Sequence, residues 1–525
     1  MILTIHSPGG TRTAALPGPA RLSEALALHQ APLAMPCGGR RRCRKCRVRA
    51  QGALSPVSEE ERAALGEDAL AQGFRLACMT TVEGDAQVTL GEGSGAQILT
   101  AGSLPEFPLE PLGKRLGMAV DIGTTTLAAY LYRLSDGVLL ATATALNPQA
   151  PFGADVISRL QKSHEGQSRA LAQAIRQGLN GLIGRLCETA RAERGEIDAA
   201  VITGNTAMAY LLTEQPPQSI IFVPFRQDRS FGEWLPPADL ELDLPGCRAV
   251  YVTRCISAYV GGDITMAAMA ASLFRRTPTD GPSLLADIGT NGEMVLYHDG
   301  AWYCCSTAAG PTFEGAGISM GMTARDGAVA AVEYRDGGMV STVLGGGEAK
   351  GICGSGIIDA AAALLAAGVV DETGYLCEDG HGFEDQIADV DGRAAFRLPG
   401  TGVVLTQGDI RAVQLAKGAI CAGIRTLLHQ AGLDGAAVPL DIAGGFGSYL
   451  RVASAEAIGL IPPGFAARTR AMGNAAGAGA SMVLLSRPML EASEDFSRRA
   501  QTVELSESRY FMDAYPENML FPEQE

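Results

Sequence analysis

Met118-Ala-Val-Asp-Ile-Gly-Thr-Thr-Thr126 returns later in the chain as Leu284-Leu-Ala-Asp-Ile-Gly-Thr-Asn-Gly-Glu293. Each copy is an apolar strand ending on an aspartate, a Gly-Thr turn, and a second apolar strand, Leu127 to Tyr132 and Met294 to Tyr297. One such hairpin occurs in any β protein, but two copies imply two similar halves of one body. Closely spaced N–H groups and hydroxyls in these turns suit phosphate oxygens. Asp121 and Asp287, brought together across a cleft, suit Mg2+ held directly or through its waters.

Around the two copies, short apolar strands alternate with Ala- and Leu-rich helical stretches such as Ala170 to Glu193 and Gly356 to Ala367. That alternation predicts an α/β body from Leu116 onward. A third element, Asp441-Ile-Ala-Gly-Gly-Phe-Gly447, reads as a strand running into a glycine turn. Without side chains at Gly444 and Gly445, an adenine and its ribose can approach the backbone, although a plain strand-to-helix turn has the same signature.

The N-terminal part has another chemistry. Cys37-x5-Cys43-x2-Cys46-x31-Cys78 places four thiols where they can enclose a [2Fe-2S] cluster. Five residues between the first two cysteines resemble the vertebrate-type and bacterial redox-partner ferredoxins. The rival is structural zinc, whose ligands usually come as two CxxC-like pairs, and only one pair is present. Met1 to Ile5 reads as a strand, Arg21 to His29 as a short helix and Arg75 to Cys78 as a strand carrying the last ligand, the order of a β-grasp. The other eight cysteines lack framework spacing and read as reduced core residues, with Cys304, Cys305 and Cys353 the candidates for redox activity.

The chain has 525 residues, 47% hydrophobic and 19% charged, enough for two to four domains with ordinary cores. No apolar run is long enough to span a bilayer and the start does not read as a signal peptide, so the cytoplasm is the expected compartment. The net charge of -15 is uneven. Residues 1–95 hold 11 basic and 9 acidic side chains, or +2, which leaves -17 for the remainder. Arg40, Arg41, Arg42, Arg44, Lys45, Arg47 and Arg49 surround the cluster cysteines, either as a solvated loop or as a patch that steers an acidic partner. Nucleic acid is a poor reading, because the chain is acidic overall and no aromatic residues interleave the basic run.

DIGTTT (121–126), TGNTAM (203–208), ADIGTNGE (286–293), AAGPTFEG (308–315), KGICGSGIID (350–359), TQGDIRAVQLAKGAI (406–420) and AGGFG (443–447) together resemble the acetate-and-sugar-kinase/Hsp70/actin (ASKHA) superfamily. With the N-terminal cysteines, the chain resembles the reductive activators of corrinoid proteins over nearly its whole length, its tail included. The resemblance implies an α/β chain: a β-grasp ferredoxin-like [2Fe-2S] domain (1–92), a Gly- and Pro-rich linker (93–115), and a duplicated actin-like, ribonuclease H-like ATPase body. The body would comprise halves 116–280 and 281–485 and an extension, 486–525, packed on it. About 25 residues separate the ferredoxin part from DIGTTT, which implies that the middle domain of larger members is shortened or absent.

By matched motif, Asp121 is the first magnesium-side carboxylate, with Gly123, Thr124, Thr125 and Thr126 cradling phosphate. Asp287, Gly289, Thr290 and Asn291 form the second motif, and Gly444, Gly445 and Phe446 border adenosine. Gly204, Asn205, Gly354 and Ser355 fall in hinge and connecting segments. Glu293 and Glu314 are the candidates for positioning the attacking water, with a magnesium-shell or structural hydrogen bond as the alternative for each. Asp409 is expected to support packing.

The cofactors implied are a [2Fe-2S] cluster, ATP and Mg2+. The function implied is one-electron reduction of a Co(II) corrinoid to Co(I) for methyl transfer. Its partners would be a corrinoid protein and an external low-potential donor, and homodimerisation is left open. A lone histidine such as His298 or His381 reads as a surface or hydrogen-bonded residue, so the corrinoid belongs to the partner. Two other classes share the cleft: a small-molecule kinase, which has no use for an electron carrier, and an ATP-binding redox sensor. Activators of 2-hydroxyacyl-CoA dehydratases bridge a [4Fe-4S] cluster across a dimer, which the N-terminal four-cysteine module argues against.

Overall fold

Alternating burial in the N-terminal part builds a small mixed sheet. The computed structural model describes residues 1–7, 10–16, 18–28, 46–89, 104–153, 155–390, 392–444 and 450–523. β1 (Ile2–Ser7) and β2 (Gly10–Ala15) form a hairpin, and β3 (Ala20–Arg21) leads into α1 (Leu22–Leu28). β4 (Arg47–Leu54), α2 (Glu59–Leu65), α3 (Glu67–Ala71), β5 (Phe74–Leu76) and β6 (Thr81–Thr89) complete the unit. The order is β2-β1-β6-β4-β5, with β1 and β6 parallel, as in a β-grasp. In β4, Val48 and Ala50 are buried while Arg47 and Arg49 face out, the period of a sheet covered on one side. Leu22, Ala25 and Leu26 of α1 pack with Leu3, Ile5, Val82 and Val88.

The body repeats one pattern twice. β7 (Leu116–Ile122), β8 (Thr126–Arg133) and β9 (Val138–Leu146) form an antiparallel meander, followed by α4 (Val156–Lys162) and α5 (Ser168–Ala190). β10 (Ile197–Gly204) then joins β7 in parallel, and α6 (Thr206–Leu212), α7 (Gln218–Ile221), β11 (Glu233–Leu235) and β12 (Val250–Val252) follow. The sheet order is β11-β12-β10-β7-β8-β9. α8 (Gly262–Ala270) leads to the second half, where β13 (Ser283–Ile288), β14 (Gly292–His298) and β15 (Ala301–Thr307) form the second meander.

An insertion follows. It comprises β16 (Ala328–Arg335), β17 (Gly338–Val343), β18 (Gly351–Ile352), α9 (Gly354–Ala366), β19 (Ile387–Val390), β20 (Arg393–Arg397) and β21 (Val404–Thr406), in two three-stranded sheets. After α10 (Gln407–Gln430), β22 (Leu440–Ala443) joins β13 in parallel, and α11 (Val452–Ala457) leads to β23 (Thr469–Gly473). Thus β10-β7-β8-β9 and β22-β13-β14-β15 are equivalent, and each DIGT strand is central, hence its nearly continuous burial.

α12 (Ala475–Leu485), α13 (Arg487–Arg499), β24 (Gln501–Thr502) and α14 (Arg509–Glu517) end the chain. The C-terminal stretch does more than cover the body, because β24 pairs with β15 and supplies an edge strand of the second sheet. Residues 104–115, read as linker, run beside the end of α12, with Leu112 N–H donating to Leu484 O at 3.0 Å.

α12 and α8 pack together between the two sheets, in a core shared by both halves. The approach depends on small residues: a Cβ on Gly479 would lie 1.9 Å from the Met266 carbonyl oxygen. Gly479→Ala is expected to force the helices apart and cost about 1–3 kcal/mol. Gly181→Ala, on the open face of α5, should instead be neutral or gain about 0.5–1 kcal/mol. Urea unfolding followed by circular dichroism compares the two.

Candidate functional site

Each Gly-Thr turn is closed by its own glycine, the second turn being one residue shorter. Gly123 N–H donates to Thr126 O and Gly289 N–H to Asn291 O, each at 2.9 Å. Beside each turn a glycine at the end of β10 or just past β22 is pressed against the DIGT strand. A Cβ on Gly204 would meet the Ile122 carbonyl oxygen at 2.7 Å, and one on Gly444, where φ is +111°, that of Ile288 at 2.2 Å. Gly204 and Gly444 are therefore equivalent points of the two halves. Gly445 and Phe446 lie outside the described residues.

Five carboxylates converge here. In the β13–β14 ladder Asp287 stands directly opposite Glu293, a like-charge pairing that destabilises a sheet and marks a site. Asp121 ends β7 in the same way, and Asp263, in the first turn of α8, joins them. Burial pushes Asp121 up to about 6, opposed by the Asn474 amide that donates to its Oδ2 at 2.9 Å. Asp263 is pushed up to about 7 by burial and then by the Asp121 charge. Asp287 reaches about 8 through burial, then Asp263, Asp121 and Glu314. Glu293, 6% exposed, is raised well above its ordinary range by burial, Asp263 and Asp287.

Glu314 joins the halves. It ends a single 3-10 turn (Pro311–Glu314), and its Oε2 accepts from the Thr125 hydroxyl of the first turn and, at 2.8 Å, from the Thr290 hydroxyl of the second. The first turn is braced from behind. Asn205, the N-cap of α6, accepts from Met208 N–H at 2.9 Å and donates to the Thr124 hydroxyl at 3.2 Å, and Arg159 donates to Thr124 O at 2.7 Å. Gly354 and Ser355 open α9, where the Ser355 hydroxyl donates to Ala330 O at 2.9 Å. Asp409 closes a capping box with Thr406 and accepts from Ser319 N–H at 2.7 Å.

Acid side chains crowded at two hydroxyl-bearing turns fit a divalent cation and the phosphates it escorts. Sequence reading missed Asp263 and Asn474. The signals were Gly261-Gly262-Asp263 before an apolar helix, and an Asn N-cap before the small-residue run Ala475–Ala480.

In the N-terminal domain, Cys46 and Cys78 are buried neighbours. Ala77 N–H donates to Cys46 O at 2.9 Å and Cys78 N–H points to Cys46 Sγ at 3.5 Å, so the sulfur is already served by a backbone donor, as a cluster thiolate requires. Cys37 and Cys43 lie outside the described residues. The Cys78 segment is pinned by Glu61, fully buried in α2, which takes both Nε and Nη2 of Arg75 at 3.0 Å and Leu76 N–H at 2.7 Å. Cys304 and Cys305 occupy successive positions of β15, and burial raises both thiols, which keeps them protonated.

Family models describe three successive parts: a 2Fe-2S iron-sulfur cluster binding domain over residues 5–83, the RACo middle region over 116–276, and the C-terminal domain of RACo, the ASKHA domain, over 281–525. The RACo middle region begins on the first DIGT strand and spans the first half of the body. The chain is 33% identical over 420 residues to the corrinoid activation enzyme RamQ of Eubacterium limosum, covering 77% of this chain and 70% of that one. It is 25% identical over 408 residues, 71% of each chain, to the [Co(II) methylated amine-specific corrinoid protein] reductase of Methanosarcina barkeri. Among solved structures it is similar to a reductive activator for corrinoid, iron-sulfur protein, at 28% identity and a TM-score of 0.72, over 100% of this chain and 99% of that one.

Three outcomes are expected. An unfolded aspartate titrates near about 4, so between there and pH 8 the folded cleft holds protons that the unfolded chain releases, and stability falls as pH rises. The thermal midpoint of metal- and nucleotide-free protein should therefore drop from pH 6 to pH 8. Asp263→Asn should raise the midpoint at pH 8 while lowering magnesium-dependent nucleotide turnover by roughly a hundredfold or more. Separately, Glu61→Ala leaves Arg75 buried without its partner, at about 3–5 kcal/mol. The visible absorbance of the reconstituted cluster should then bleach at lower urea.

Proposed function

The chain belongs to the RACo family, and from that premise we propose that it is an ATP-dependent reductive activator, passing one electron to a Co(II) corrinoid protein to restore Co(I) for methyl transfer. The observation that carries the reading is the presence in one chain of a β-grasp domain with paired buried cysteines and a duplicated cleft lined by carboxylates. An external low-potential donor would refill the carrier after each transfer. Among the described residues no helix is long and apolar enough to cross a membrane, and the cytoplasm is the compartment we assign.

In this reading Cys37, Cys43, Cys46 and Cys78 hold a [2Fe-2S] cluster, which supplies single electrons. Asp121, Asp263 and Asp287 hold Mg2+, directly or through water. Gly123 to Thr126 and Gly289 to Asn291 face the phosphates, and Gly444, Gly445 and Phe446 border adenosine. Glu314, already reaching a hydroxyl of each turn, orients the water that attacks the terminal phosphate, while Glu293 shares a proton with Asp263.

The electron has to go uphill. Even a cluster as reducing as the plant type, at about -400 mV, would lie above the Co(I) couple in the family chemistry, and a shortfall of 100 mV is about 2.3 kcal/mol for one electron. Nucleotide can offset that if its bound state favours a partner conformation in which cobalt is easier to reduce.

The test mixes full-length, cluster-loaded protein and a chemical reductant with a Co(II) corrinoid methyl-carrier, and follows the visible spectrum with and without Mg-ATP. A Co(I) band that needs Mg-ATP is expected. Cys78→Ser should lose the band and keep nucleotide binding, and Asp287→Ala should keep cluster reduction and lose the ATP effect. Cluster reduction and ATP turnover without cobalt reduction would favour the redox sensor instead.

A further inference from the structure

Away from the cleft, a loop between α9 and β19 brings together three donors of different chemistry. The Cys377 sulfur, an Asp379 carboxylate oxygen and a His381 ring nitrogen all lie within 4.8 Å of one another. His381 Nε2 is 3.3 Å from Asp379 Oδ1. The loop is bent to make this meeting: Cys377 N–H donates to Val369 O at 2.9 Å, Gly380 N–H donates back to Cys377 O at 3.2 Å, and His381 has φ +46°. Sequence alone showed an isolated histidine and a scattered cysteine.

A second observation points to a cation. The segment 371–385 carries Asp371, Glu372, Glu378, Asp379, Glu384 and Asp385 and no Lys or Arg. Of these, Asp371 accepts from Thr373 N–H at 2.9 Å, Thr373 Oγ1 at 2.7 Å and Tyr375 N–H at 2.9 Å, and Glu384 from Gly382 N–H at 3.2 Å. Asp379 and His381 are exposed and Cys377 is half-buried, so an ion has an open path.

We infer that Cys377, Asp379 and His381 form a zinc site. Thiolate, imidazole and carboxylate are the zinc donors, whereas Mg2+ and Ca2+ take oxygen alone, and three protein ligands leave a fourth position for water. Zinc replaces the Cys377 thiol proton, which leaves to solvent as the metal–sulfur bond forms.

Such an ion would also tie down the loop that holds it. The same loop is tied to the start of α10 by Leu376 N–H to Gln407 Oε1 at 2.9 Å and Gln407 Nε2 to Gly374 O at 2.6 Å. Asp409, two residues further on, anchors Ser319 beyond the Glu314 turn. An ion here would fix the outer end of a chain of contacts that leads toward the cleft.

The test uses full-length, cluster-loaded protein given zinc chloride and then desalted, with zinc and iron measured together and the zinc X-ray absorption edge recorded. One zinc per chain with a single sulfur neighbour is expected. Cys377→Ala and, independently, His381→Ala should each lose it, with at least a tenfold fall in retained zinc and unchanged iron. Wild-type protein that keeps no zinc overturns the inference, and so does zinc retained equally by both variants. A zinc edge showing four sulfurs with iron depleted would place the metal on the ferredoxin cysteines and also sink it. None of these outcomes depends on corrinoid reduction.

Discussion

Like charge, crowded where water is scarce, is the constraint on which the body turns. The ladder that sets Asp287 against Glu293 cannot be relieved by a side-chain rotation, because both residues are fixed in register on central strands. Asp121 and Asp263 add to the same field from the other half and from α8. Protons or a divalent cation must enter with folding. Close packing holds the carboxylates in place, through the glycines at the strand ends and the small-residue contact of α12 with α8.

That arrangement also explains how a cleft can report its occupancy. Glu314 is held by one hydroxyl from each half, Thr125 and Thr290, so a carboxylate that the protein itself supplies bridges the two turns. A phosphate group entering between the same turns competes for the same donors, and the bridging turn must answer by moving or by turning its carboxylate to another task. A few kcal/mol of such differential contact is the scale required to bias a conformational equilibrium.

Much of this was legible in the sequence, for physical reasons that differ from residue to residue. Asp121, Asp287 and Glu293 could be found because a strand, a tight turn and a returning strand fix which residues face one another within ten positions. Asp263 and Asn474 could not. They sit on helices far from the DIGT motifs in sequence, and only the crossing of α8 and α12 between the sheets delivers them to Asp121. The edge strand Gln501–Thr502 was hidden for a related cause: two residues have no period, and their pairing with β15 is set by the path of α13. Glu61 is one of three successive glutamates, and only its enclosure by Arg75, Leu76 and Thr80 makes it the anchor of the Cys78 segment.

The two functional regions are stabilised in opposite ways, and this bears on how they work together. The Cys46–Cys78 pair is held by backbone hydrogen bonds and by a bidentate ion pair whose charges cancel locally, an arrangement with one favourable state. The carboxylate cleft has uncancelled charge and changes its preferred state with every proton, cation or phosphate it gains. A firmly held Cys46–Cys78 pair and a responsive carboxylate cleft in one chain assign the conformational work to the body. What nucleotide can alter is the surface the body offers to the acceptor, and so the state of the acceptor at the moment the electron arrives.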